Sequence, residues 1–219
     1  MNPDTSLIAY ASVAGMFASV ILMHLMKRSS LTVWLYTLQS LLVVVLLTSA
    51  LLKEFSWLLV LATLAMGGVK VIIAPKFFTE LIRKHEVRFS ASTYVNGPVT
   101  LAALAGLTAF THAQFFRALT QLNSAQSDAI LLSVSMMLIS MFLIINRKGA
   151  LSQMIGILSL ENAIVAFATV TGLEQTPALQ LGVVFDIFIW ITIATVFASM
   201  IYQKFGSLDV SKLTHLTED

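Results

Sequence analysis

ALSQMIGILSLENAIVAFATVT, residues 150–171, is an apolar run of bilayer-crossing length that carries one carboxylic acid, Glu161, near its middle. A helix rising ~1.5 Å per residue crosses the hydrocarbon core in about 20 residues. A carboxylate at that depth is expensive, so acids inside membrane spans are rare and usually serve function. A second acid, Asp186, stands in the next apolar run, LGVVFDIFIWITIATVF, residues 181–197. The two runs are joined by a short connection and read as antiparallel neighbours with their acids at similar depth. Such a pair can share a proton or pass one through water. The simpler reading holds each acid protonated or hydrogen-bonded for helix packing. Asn162 beside Glu161, and Ser159 nearby, supply polar support for either.

Composition agrees with a membrane setting. Hydrophobic residues make up 58% of the chain and charged residues 11%, against about 25% charged in a soluble domain; mean hydropathy is +0.88. Cysteine is absent, which excludes disulfides, thiolate metal sites and iron–sulfur clusters built on this chain. No basic run with interleaved aromatics points to nucleic acid. There is no phosphate-binding glycine loop, zinc spacing or nucleophile constellation, and no cofactor or metal is expected. The N-terminal Met-Asn-Pro-Asp lacks a basic n-region, so the first apolar segment is expected to be retained.

Hydropathy predicts an all-α integral membrane protein with about seven spans, near 6–26, 31–52, 57–75, 95–115, 128–145, 150–171 and 179–203. Basic residues alternate with them. Lys27 and Arg28, then Lys76, Arg83, Lys84 and Arg88, then Arg147 and Lys148, then Lys204 and Lys212 fall on one side; only Lys53 and Arg117 fall on the other. The positive-inside rule then places the N-terminus outside and the C-terminus in the cytoplasm. Residues 1–94 form a three-span unit ending in an amphipathic cytoplasmic segment. Residues 95–127 hold a connecting fourth span and loop, 128–204 a second three-span unit, and 205–219 a cytoplasmic tail.

The two three-span units align weakly at an offset of about 120, matching Lys27-Arg28 to Arg147-Lys148, Leu41 to Glu161 and Met66 to Asp186. That is the pattern of a parallel repeat with span four as connector; chance similarity between apolar helices gives the same pattern.

Lys70, in MGGVKVIIAPKFF, has two readings. One is a lysine snorkelling to the cytoplasmic surface; the other is a charged partner that modulates a proton path. Pro75 is expected to end the span, and PKFFTELIRKHEVRF, 75–89, to lie along the inner membrane surface or dock a partner subunit. Ala102, Ala105, Gly106, Ala109 and Ala113 put a small-residue face on span four, suited to close packing in the bundle or against a partner. Trp34, Trp57 and Tyr202 read as interfacial anchors. His24 and His112 fall near opposite ends of their spans, which argues against their ligating one haem.

Asn146-Arg147-Lys148-Gly149-Ala150-Leu151, leading into Met154-Ile155-Gly156 and then Glu161-Asn162-Ala163 and Ala166-Phe167, resembles the small three-span subunit shared by respiratory complex I, multisubunit cation/proton antiporters and membrane-bound hydrogenases. In that family a basic loop precedes a helix with a buried glutamate, and a second acid follows on the next helix. Aligned on Ile155-Gly156 and Asn162-Ala163, the family's glutamate position falls on Leu158, one turn before Glu161. The whole chain, with Val69-Lys70-Val71-Ile72-Ile73-Ala74-Pro75-Lys76 closing the third span, resembles component E of hydrogenase-4-type formate hydrogenlyase complexes.

The resemblance implies a non-redox subunit of the bacterial inner membrane, in which Glu161, Asp186 and Lys70 contribute to proton or sodium translocation. The implied partners are antiporter-like membrane subunits and soluble [NiFe] hydrogenase and iron–sulfur subunits. It equally allows a purely structural bridge between those modules, or a place in a multisubunit cation/proton antiporter. Independent transport fits less well, because the sequence offers no clear pair of broken helices.

Overall fold

Many large apolar side chains face outward from the helices, and the interior holds small polar residues as well as an apolar core. Leu7, Trp34, Leu64 and Ile145 are exposed, while Ser12, Gln39, Ser40, Ser133, Ser140, Ser159 and Asn162 are buried. A water-soluble fold does the opposite; in lipid the outer surface must be apolar, and polar groups go where partners satisfy them. Some buried hydroxyls are satisfied within their own helices, as where Ser19 donates to Gly15 O at 2.8 Å and Ser133 to Ala129 O at 2.8 Å. Such back-bonding lets a small hydroxyl sit in an apolar interior at little expense.

The computed structural model describes residues 3–52, 55, 57–84, 92–172 and scattered positions between 188 and 203. Its helices are α1 (Pro3–Leu25), α2 (Ser29–Leu51), α3 (Trp57–Gly67), a π-turn over Gly68–Ile73, α4 (Ala74–Lys84), α5 (Gly97–Thr111), α6 (Arg117–Thr120), α7 (Ser127–Asn146) and α8 (Ala150–Thr171). Among the described residues there is no strand, only an isolated bridge between Thr93 and Arg147. Four stretches, Ser6–Leu25, Ser29–Leu51, Ser124–Asn146 and Ala150–Thr171, are long and apolar enough to cross a membrane, and a bent pair after Asn96 makes a fifth. The seventh expected span falls largely outside the described residues.

Two helical hairpins form the centre. α1 packs on α2 and α7 on α8, and the hairpins stack with α1 against α7 and α2 against α8. Where α8 crosses the end of α7, Gly156 sits where an added Cβ would come within 2.8 Å of Ile144 Cγ1 and 3.2 Å of Ile144 N. A glycine here lets the two backbones approach. Where α1 ends, the Arg147 guanidinium donates to the carbonyls of Met23 and Met26, the latter at 3.1 Å. The Arg147 side chain, read from sequence as a cytoplasmic loop charge, is thus buried and occupied in closing off helix-end carbonyls that have no intrahelical donor.

The third span departs from expectation. Pro75 does not end it: α3, the π-turn and α4 follow one another without a break, and the whole lies along α2. In the π-turn, Ala74 N–H reaches back five residues to Val69 O. The wider turn makes room for a proline ring that has no N–H to give. α4 is held against α2 by Ala74 and Phe78, the latter edge-on to Tyr36 with ring centroids 6.4 Å apart. The expected surface segment is therefore, as far as Lys84, a helix packed on the bundle.

Span four departs as well. Asn96 caps α5 by accepting from Val99 N–H at 3.1 Å, with Pro98 in the first turn. After Thr111 the path bends by 50° into a short 3₁₀ turn and α6. α5 faces α7 with Thr100, Leu104 and Thr111. Its small-residue face of Ala102, Ala105, Gly106, Ala109 and Ala113 is outward, and nothing lies within 4 Å of a Cβ added at Gly106. The close packing expected of that face is not made within the described bundle.

Candidate functional site

The π-turn puts Lys70 on the inner side of its helix, facing α8. Its side chain is 1% exposed and its Nζ lies 3.5 Å from Glu161 Oε1. The same ammonium donates to Asn162 Oδ1 at 2.7 Å. The snorkelling reading of Lys70 is thereby overturned, since the charge is turned into the bundle and paired there. A lysine head inside a low-dielectric bundle is tolerable only when an anion and hydrogen-bond acceptors surround it. The pair joins elements far apart in sequence, as does the hydrogen bond beside it, since Lys70 and Asn162 are 92 positions apart.

Asn162 joins the pair to α2. Its Nδ2 donates to Gln39 Oε1 at 3.3 Å and to Ser40 Oγ at 3.2 Å. Gln39 Nε2 in turn donates to Ser159 Oγ at 3.0 Å and to Met136 Sδ at 3.5 Å. Ser159 Oγ is 3.0 Å from Ser140 Oγ on α7. Every polar side chain in this chain except Glu161 is buried, and four helical elements are cross-braced through it. Glu161 is 20% exposed, with the Oε1 that faces Lys70 itself buried, so it is the least enclosed side chain of the network.

The chemistry divides at Lys70. A carboxylate and an amine can each gain or lose a proton. Side-chain amides cannot relay one, so the Asn162–Gln39 part fixes geometry and does not conduct.

Of the residues singled out from sequence, Lys70, Glu161, Asn162 and Ser159 converge on this site, and Asp186 lies outside the described residues. Gln39, Ser40 and Ser140 were missed. A signal for Gln39 was present: the offset of 120 that sets Leu41 against Glu161 sets Gln39 against Ser159, and those two are hydrogen-bonded. The histidines are occupied separately. His24 is stacked on Phe142, with centroids 5.2 Å apart, and donates from Nε2 to Ile139 O at 3.1 Å. His112 donates from Nδ1 to Thr108 O at 2.9 Å. No group of three or more metal-binding side chains occurs among the described residues.

The fold and the site together fit the class of multi-pass membrane proteins, helical bundles with apolar exteriors and an internal charged pair. Comparison with protein-family models, with curated proteins and with solved structures finds no match.

Proposed function

We propose that this chain is a membrane-arm subunit of a formate hydrogenlyase or related [NiFe] hydrogenase complex of the complex I type. In this role it contributes buried charged groups to proton or sodium translocation coupled to electron transfer. The observation that supports ion translocation is the Lys70–Glu161 pair, a buried ammonium against the carboxylate of a side chain that is 20% exposed. Ionisable groups inside membrane spans mark ion and proton paths more often than not. The choice of complex rests on the resemblance carried by Val69–Lys76 and Asn146–Phe167.

In this reading the chain has seven spans in the bacterial inner membrane, N-terminus outside and C-terminus cytoplasmic. It carries out no redox step and holds no cofactor. Electron transfer belongs to soluble [NiFe] and iron–sulfur subunits, and antiporter-like membrane subunits are its neighbours in the bilayer. Glu161 exchanges a proton at its exposed edge; Lys70 favours the ionised carboxylate until a charge shift elsewhere weakens the pair. Asp186 is a second station on the same path.

A second reading is a structural bridge between the hydrogenase-proximal and antiporter-like subunits. The amide and hydroxyl bracing around Asn162 favours it, because those groups tie α2, α7 and α8 together through buried hydrogen bonds. Glu161→Gln and Asp186→Asn, made in the whole complex, separate the two. Loss of ion translocation with the complex still assembled supports conduction, whereas unchanged translocation leaves the bridge. Which complex it is follows from proteins co-purifying with a tagged C-terminus: hydrogenase-like with antiporter-like subunits for the first choice, antiporter-like subunits alone for a cation/proton antiporter.

A further inference from the structure

A groove of about 620 Å³ lies between the first turns of α2 and the π-turn with α4. Its walls are apolar: Val33 and Trp34 on one side, Val71, Ile72 and Pro75 on the other. Trp34 is 72% exposed and lines the groove. At the mouth three charged residues of α4, Lys76, Glu80 and Arg83, project from one face at helical spacing. That face is fixed, because the opposite face of α4 is anchored on α2 through Ala74 and Phe78. Lys76, Glu80 and Arg83 are exposed, and none of them makes an ion pair among the described residues.

An apolar trough that ends in charges is amphipathic in the sense of a lipid, with a place for a chain and a place for a headgroup. The order of charges along α4 is plus, minus, plus. A headgroup bearing both a phosphate and an amine complements it, with phosphate oxygens taking the two cations and the ammonium taking Glu80. An acidic headgroup without an amine would leave the Glu80 carboxylate facing a phosphate. Trp34 adds the amphipathic ring that favours the headgroup level of a bilayer.

We propose that this groove is a binding site for a phospholipid of the phosphatidylethanolamine class, one acyl chain along Val71 and Ile72 and the headgroup on Lys76, Glu80 and Arg83. The site is separate from the Lys70–Glu161 pair and does not depend on the complex in which the chain works.

The test is lipid analysis by mass spectrometry of the full-length protein, or the complex holding it, extracted from native membranes in mild detergent. Wild-type protein is expected to retain amine-bearing phospholipid above its proportion in the bulk membrane. Lys76→Ala with Arg83→Ala should lower that enrichment by on the order of tenfold, and Glu80→Gln should shift retention toward acidic lipids. Ile72→Trp, which fills the trough and leaves the charges, should also lower it. Retention that mirrors the bulk membrane, or enrichment of acidic lipid in the wild type, overturns the proposal. A photo-reactive residue at Thr79, activated in intact membranes, checks the occupant: a lipid adduct supports the site, and a protein adduct makes the groove a subunit contact and overturns it.

Discussion

Lys70 illustrates how one side chain can be read two ways until its neighbours are known. By sequence it is a lysine near the end of a span, and a long aliphatic stem lets such a lysine reach the surface. In the bundle it is 1% exposed, because Glu161 and Asn162 receive the charge from the next layer. Removing one partner of a buried pair leaves the other uncompensated. Lys70→Met should therefore destabilise the protein by about 3–5 kcal/mol, read as a lower unfolding temperature in detergent. Adding Glu161→Leu should restore most of that stability, since replacing a whole buried pair with apolar groups is often neutral or better. On the proposed function, ion translocation should be absent in both variants. Stability that fails to recover would mean the pair is not coupled as the geometry requires. Sequence alone flagged Glu161, Lys70, Asn162 and Ser159 because each is polar in an apolar run. It did not flag Gln39 and Ser40, whose role exists only through the partners that other helices bring to them.

At the scale of the element, two glycines of similar local setting behave differently. Gly156 faces the backbone of Ile144 across the α7–α8 contact, and an added methyl would press on Ile144 N at 3.2 Å and Cα at 3.4 Å. Backbone cannot swing aside as a side-chain tip can. Gly156→Ala should cost about 1–3 kcal/mol, as overpacking does. Gly106, on the outward face of α5, has open space around it, and Gly106→Ala in the isolated chain should change stability by no more than about 0.5 kcal/mol. Thermal unfolding of the two variants side by side tests this; equal losses would mean the Gly106 face is covered. The hydropathy pattern gave both helices but not this distinction, which depends on what lies across the helix. The π-turn before Pro75 escaped the sequence reading for a related reason. A proline predicts an interruption, and whether the chain ends, kinks or widens there is settled by Ala74 and Phe78 finding α2.

For the molecule as a whole, the proposed orientation can be tested with unusual directness because the chain has no cysteine. Single cysteines at Lys27, in the α1–α2 turn, and at Gln121, after α6, replace exposed residues. With the N-terminus outside, Gln121→Cys in intact cells should react with a membrane-impermeant maleimide, and Lys27→Cys should react only after the cells are opened. The reverse pattern would invert the topology, and with it the side from which Glu161 is reached. The stacking of α1 on α7 and α2 on α8 sets like helices of the suspected repeat side by side, with Gln39 bonded to its counterpart Ser159.

By itself the sequence determined that the chain is helical and apolar, the approximate bounds of four long apolar helices, and which polar residues stand in them. Those properties are local: hydropathy, caps and breakers act within a turn or two of where they are read. Only the tertiary structure decided that Lys70 turns inward to Glu161, that Arg147 closes the end of α1, that the small face of α5 stays open and that α4 holds a groove against α2. Each depends on contacts between segments far apart in the chain. One apolar helix carries no mark of which other it will pack against, because lipid and neighbouring helices are almost equally apolar. The choice falls to the few buried polar groups and close backbone approaches that become satisfied in a single arrangement.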